Sequence, residues 1–530
     1  MKHTRRDFIK FIVAGSVVAG CPLDELLLAI PAGHPADVNG EDYNVCHQVR
    51  DGHRFARPRV SGRHDVAIIG GGVSGLSAAY FLQNYKFLLL EKENHWGGNA
   101  YLEEHHGEAY ATGSAFEFTG EAGDQLANEI GLKLLPVNCP DPTIVKGVFV
   151  EDTWRKGLDQ LPYPASVRES FKKFREAMRA INIDKRRKEL DSEPLTKYTA
   201  GYATQVQKWW DCFGPSNWGA RAEATSALVA IEELQTIAGE GSDQRVTLPG
   251  GLGAISRRLT EVLMPGHCEQ MLGGATVVVV EPQKNEVHVT FVHQGKPQTI
   301  AAKAVIMATP KFIASRLVMG LPERQREAMK KIRYAPYPVV NVIFDRPVYS
   351  RGYDTWAPGK AFTDFVVADW VMRNQPDYRQ KQNILTFYTP LPEPERARLL
   401  TEEGCRELAG AVLRDFQGLM PGFNIDPIEV HIYRRGHPMF MATPGTYTRI
   451  IPVARQPMER IFFANTDSEG PESLTSGAVT AARHSVEWVE KLLAGHPGTE
   501  RHESPGRRAS VRSGQTTTSV LAATRGWYVK

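Results

Sequence analysis

The run Asp65-Val66-Ala67-Ile68-Ile69-Gly70-Gly71-Gly72-Val73-Ser74-Gly75-Leu76 joins an apolar stretch to glycines spaced for phosphate binding. Gly70 permits a tight turn, Gly72 lets backbone amides approach a diphosphate, and Gly75 lets the following helix lie close to the strand. The phosphates then sit at the positive end of that helix. A second apolar run, Phe87-Leu88-Leu89-Leu90, ends on Glu91, 21 residues after Gly70, where a carboxylate accepts hydrogen bonds from an adenosine ribose. The doublet Gly97-Gly98 follows. Strand, glycine turn, helix, strand and acid, in that order, make a βαβ dinucleotide-binding unit.

The rest of the chain supplies the elements around this unit. From Gly131 to about Glu240 the pattern is helical, interrupted by aromatics such as Trp209-Trp210 and Trp218. Nucleotide-domain features then return. Leu248-Pro249-Gly250-Gly251-Leu252 leads into a helix, and residues 275–280, 287–292 and 304–308 read as strands rich in β-branched residues. After another mixed region, Arg460-Ile461-Phe462-Phe463-Ala464 reads as a last buried strand, and a long helix runs from Ser476 to Leu493. The expected fold class is α/β: a Rossmann-like domain of three-layer ββα type, assembled from residues 62–135, 245–315 and 455–494. A mixed α+β substrate domain, residues 136–244 and 316–454, is inserted into it.

Composition narrows the function classes. The 530 residues are enough for two or more domain cores, and a formal net charge of +3 argues against a nucleic-acid partner. Lys185-Arg186-Arg187-Lys188, beside the helical run 166–180, reads as a solvated helix end. Six cysteines without a CxxC pair form neither a zinc ligand set nor a disulfide scaffold. Thr4-Arg5-Arg6-Asp7-Phe8-Ile9-Lys10 and the short apolar run from Phe11 to Gly20 have the form of a twin-arginine export signal, within residues 1–33. That route carries folded proteins, so a cofactor is inserted before export to the periplasm. Val18-Ala19-Gly20-Cys21 also has the form of a lipoprotein box, with Cys21 as a lipid anchor to the membrane; the alternative is plain cleavage near Ala32. Residues 495–530, rich in Ser, Thr, Gly and Arg, read as a disordered tail.

Over roughly residues 62–494 the chain resembles the flavin-containing amine oxidase superfamily. The residues that carry the resemblance are the βαβ unit, Gly97-Gly98, Pro249-Gly250-Gly251, Ala308-Thr309-Pro310-Lys311 and Phe463 to Ala481. The resemblance implies FAD rather than NAD. It implies cofactor contacts from Gly70, Gly72, Gly75, Glu91, Gly97 and Gly98, and from Val277 and Asp467. Asn99 departs from the pattern. Many members carry Arg after the doublet, where a cation meets phosphate, so that contact is weaker here or comes from elsewhere. A closer resemblance, to the spermidine dehydrogenase-like branch, rests on the twin-arginine signal, on Cys46-His47-Gln48-Val49-Arg50-Asp51-Gly52, and on Tyr433-Arg434-Arg435-Gly436-His437-Pro438-Met439. It implies a haem b beside FAD, with His47, His437 or Met439 as ligands. The alternative for His47 is a local backbone or capping role. The absence of CxxCH excludes covalent c-type haem.

The resemblance also implies hydride removal from a carbon next to nitrogen, with the flavin doing the chemistry and the protein positioning a neutral amine or polyamine. Trp209, Trp210, Trp218 and Tyr433 are candidates for an aromatic cage around the amine, against the alternative that they fill the core. Lys311 either approaches the flavin edge or is a solvated loop lysine, and His437 completes the catalytic candidates. No general base, Ser-His-Asp set or metal motif stands out. Two other functions share these motifs: oxidation or desaturation of a carotenoid-like or porphyrinogen-like substrate, and a cell-envelope flavin electron carrier without its own small-molecule turnover.

Overall fold

The computed structural model describes residues 36–139, 141–239, 241, 243–420, 424–470 and 475–495. The export segment, Cys21 and the tail from residue 496 onward lie outside the described residues.

One sheet is built from three distant parts of the chain. Val60–Ile69 pairs in parallel with Phe87–Leu90 on one side and with Lys296–Met307 on the other. Met271–Leu272 pairs outside Phe87–Leu90. The first half of Lys296–Met307 continues into an antiparallel meander with Val287–His293 and Ala275–Pro282. Its last residues, Val305–Met307, pair in parallel with Ile461–Phe463. Side chains alternate across such a sheet. Ala67, Ile69, Leu88, Leu90, Val305, Met307, Ile461 and Phe463 therefore enter one core, while Val66, Ile68, Phe87, Leu89, Ala304, Ile306 and Phe462 enter the core on the other face. Burial on both faces explains why these strands read as unbroken apolar runs. The helices Val73–Phe81 and Thr475–Ala494 pack together over the second core through Leu76, Ala79, Val479 and Ala482. The structure is that of a mixed α/β fold with multiple sheets.

A second sheet has eight strands. Its order is Asp37–Gly40, Glu429–Arg434, Val339–Phe344, Asn383–Tyr388, Asp364–Val367, Asp354–Trp356, Pro142–Val145 and Val148–Glu151. Two features depart from the reading of the sequence. Residues 131–240 begin with short strands before the first α-helix at Ala165, because Lys146 and Gly147, both with positive φ, form a two-residue hairpin turn between Val145 and Val148. Asp37–Gly40, ahead of the glycine motif, adds an edge strand to the second sheet, parallel to His431–Arg434.

The helices Ala165–Arg179, Ile183–Ser192, Thr204–Trp218 and Ala227–Ile237 pack around an aromatic core. Lys185 to Lys188 lie within their own helix rather than at the end of the preceding one; there Arg186 pairs with Glu189 and Arg187 with Glu232. Among the described residues no helix is long and apolar enough to cross a membrane.

Candidate functional site

The glycines shape a cradle at the carboxyl ends of the parallel strands, where open α/β sheets bind ligands. Gly70 has φ +107°, and a Cβ there would lie 2.5 Å from Ala308 O; a Cβ on Gly75 would run into Gly70 O. Gly71 is equally constrained, since its Cβ would lie 2.6 Å from the Trp96 ring. Gly72 caps the helix with extended backbone and bridges to Gly97, whose N–H donates to Gly71 O at 2.8 Å. Gly97 and Gly98 both have positive φ, and a Cβ on Gly98 would lie 3.2 Å from Gly72 Cα. Two glycine turns therefore touch backbone to backbone. A side chain on Gly98 would press on Gly72, whereas a Cβ on Gly72 would meet Gly97 O at 3.8 Å, an ordinary contact.

Glu91 is buried, and its carboxylate accepts from Gly71 N–H at 2.5 Å and Glu93 N–H at 2.9 Å. Burial raises its pKa, and the two amide bonds oppose the rise. Each oxygen keeps a lone pair for a ribose hydroxyl.

A cavity of about 550 Å³ runs from this cradle to the second sheet. Gly70, Gly72, Glu91, Gly97, Gly98, Asn99 and Val277 line it. Gly75 acts from behind by closing the helix onto the turn. The hydroxyl oxygens of Ser74 and Thr309 are buried, line the cavity and have no hydrogen-bond partner. Orphaned hydroxyls beside a helix N-terminus and a side-chain-free cradle fit a dinucleotide diphosphate. The residues present fit FAD.

The other candidates divide. Tyr433, His437, Tyr334 and Phe440 also line the cavity. Tyr433 Oη donates to Glu103, which also accepts from Tyr110 Oη at 3.1 Å. The His437 ring packs on Phe312 at 4.7 Å between centroids. Burial, with help from Arg396, Arg316 and His47, lowers its pKa to about 4, so the imidazole is neutral near pH 7.

Trp210 lies elsewhere. It is fully buried between Trp209, at 4.9 Å edge-on, and Trp218, at 5.9 Å stacked, and none of the three lines the cavity. They are core.

Lys311 is neither a solvated loop residue nor a cavity residue. It opens the helix Lys311–Leu317 at zero exposure, with Nζ 2.6 Å from Asp467 Oδ1. Asp467 is likewise fully buried, and its other oxygen accepts from Tyr334 Oη at 2.5 Å and Lys311 N–H at 2.8 Å. Its side chain is used up internally; its neighbours Asn465 and Thr466 line the cavity instead. His47 sits in the helix Asn44–Arg50 against Tyr43, with ring centroids 4.7 Å apart, and is not among the cavity residues. Met439 belongs to the short strand Met439–Phe440.

Several contributors escaped the sequence reading, Glu103, Tyr334 and Phe440 among them. Asn39, Gly40 and Glu41, from the segment before the first sheet, line the cavity together with Cys46. Arg435 enters it from the second sheet, beside Asn99. The signal for Arg435 was present, as a basic residue in a run already singled out, but its partner lies 336 residues away in the chain.

Fold and cradle together define a dinucleotide-binding protein. The chain belongs to the flavin containing amine oxidoreductase family, whose profile matches residues 73–489. It is 23% identical over 509 residues to Oxidoreductase PigB of Serratia sp. (strain ATCC 39006), covering 80% of this chain and 75% of the relative. It is 22% identical over 512 residues to flavin-containing amine oxidase B of Canis lupus familiaris, covering 87% and 93%. Among solved structures, wild-type putrescine oxidase bound to putrescine superimposes with a TM-score of 0.65 at 17% identity, covering 82% of this chain and all of that one. The protein is an FAD-dependent oxidoreductase.

Proposed function

We propose that this oxidoreductase oxidises a C–N bond of an amine or polyamine. FAD held in this cradle would supply the two-electron hydride acceptor for oxidation of the carbon next to nitrogen, and water would hydrolyse the resulting imine to an aldehyde and ammonia or the remaining amine. The protein's part is placement and charge. Tyr334, Tyr433 and Phe440 give the cavity an aromatic wall, and electron-rich ring faces attract an amine. The neutral His437 adds no repulsion to an approaching ammonium, and the Glu103 carboxylate draws it in.

The observation that carries this reading is the continuity of the glycine cradle with that aromatic, carboxylate-bearing wall in one cavity. The family membership and the putrescine-bound relative support it.

The test is product analysis. Incubation with putrescine, spermidine and simple monoamines, followed by aldehyde trapping, yields a trapped aldehyde with at least one of them; no aldehyde from any amine overturns the reading.

This reading includes export by the twin-arginine route to the periplasm, with Cys21 as a lipid anchor. Changing Arg5 and Arg6 together to lysine retains the protein in the cytoplasm, and a palmitate analogue labels wild type but not Cys21→Ala. An absorbance spectrum of protein from its own host reads the haem b that the closer resemblance implies, as a Soret band lost in His47→Ala.

A further inference from the structure

Arg435 is 6% exposed and lines the cofactor cavity. Its Nη1 donates to Asn99 O at 3.1 Å and its Nη2 to Thr112 Oγ1 at 2.9 Å, both neutral acceptors. A Cβ on Gly113 would lie 2.6 Å from Nη1, so the guanidinium packs against Gly113 as well as Asn99, in space that a side chain at Gly113 would fill.

Glu41 and Glu93 attract it only from a distance, and burial pulls its pKa below the usual arginine range. A guanidinium has five N–H donors, and Asn99 and Thr112 engage only part of that set. A buried cation without a counter-ion is strongly unfavourable, so such a group persists where a bound anion completes it. The contacts of Asn99 tie the guanidinium to the glycine cradle. Asn99 directly follows the glycine doublet, its backbone oxygen holds the guanidinium, and its side-chain amide donates to Pro438 O at 2.8 Å.

We propose that Arg435 is the cation that meets the diphosphate of the bound dinucleotide, delivered from the second sheet in place of a basic residue after the doublet. This rests on the FAD reading of the cavity. Its consequence is architectural. The first sheet supplies the neutral amide cradle and the second supplies the charge, so full affinity requires both sheets to be docked.

The test is calorimetric titration of flavin-stripped, full-length protein with FAD, ADP and adenosine, in wild type, Arg435→Gln, Arg435→Lys and the double variant Asn99→Arg/Arg435→Gln. Loss of a charge-assisted contact weakens FAD and ADP together, by about ten- to a hundredfold in Arg435→Gln, and leaves adenosine unchanged. The double variant recovers part of the loss, which a packing role would not produce. FAD weakened with ADP unchanged overturns the proposal by placing the guanidinium at the flavin ring, and no change in either shows that it only packs. If Arg435→Gln does not fold, Arg435→Lys decides. ADP affinity below wild type but still falling with ionic strength supports the proposal, and affinity equal to wild type overturns it. A wild-type protein that binds neither FAD nor ADP defeats the FAD reading itself.

Discussion

Lys311 Nζ and Asp467 Oδ1 lie 2.6 Å apart, both with no solvent exposure. The pair joins the segment after the central strand Lys296–Met307 to the turn after the last strand, Ile461–Phe463. Pro310 on one side, and Asn465 and Thr466 on the other, line the cavity. Two cofactor-facing loops are thus held in register by one ion pair, with Tyr334 and Ser468 satisfying what remains.

Removing one partner leaves an uncompensated buried charge. Lys311→Met and Asp467→Leu each lower unfolding free energy by about 3–5 kcal/mol, while the double variant loses less than the sum. Denaturant unfolding of the four proteins checks this. Additive losses would show that the pair is not coupled.

Gly40 joins the edge strand to the cavity. It has φ +124°, and a Cβ would lie 2.9 Å from Arg434 N. Gly40→Ala therefore loosens the strand Asp37–Gly40 from His431–Arg434 and with it the part of the cavity wall formed by Glu41 and Cys46. FAD release, followed by recovery of flavin fluorescence on dilution, becomes faster by about tenfold or more, given a strain of about 1–3 kcal/mol.

Asp364 and Asp354 lie on adjacent strands, both buried, in a region that also holds Asp141 and Arg245. Burial raises the Asp364 pKa to about 7 and that of Asp354 well above the carboxylate range. Between its ordinary value near 3.8 and about 7, the folded protein holds a proton on Asp364 that the unfolded chain has released. Stability from this group is therefore present at low pH and lost as pH rises through that window. Asn cannot ionise. The melting temperature of Asp364→Asn relative to wild type rises from pH 5 to pH 8 by about a few degrees; a gap that is constant with pH contradicts the assignment.

Much of the cradle was legible in the sequence because each glycine answers a local backbone demand, and because strands buried on both faces read as apolar runs. The roles of Asp467 and Lys311 were not. Their pairing spans 156 residues, and nothing in either neighbourhood names the other. Trp209, Trp210 and Trp218 form core rather than cage, because helical spacing puts them inward without saying what they meet. The strand Asp37–Gly40 was invisible for another reason. Asp-Val-Asn-Gly has little intrinsic strand preference, and pairing with His431–Arg434 alone makes it one.

The most direct test of the account is an anaerobic absorbance titration of the purified flavoprotein with amines, including putrescine and spermidine. The account predicts that an amine bleaches the oxidised flavin band with one equivalent per flavin, and that Tyr433→Ala raises the amine concentration required. A flavin fully bound yet unbleached by every amine, while reducible by dithionite, would contradict it.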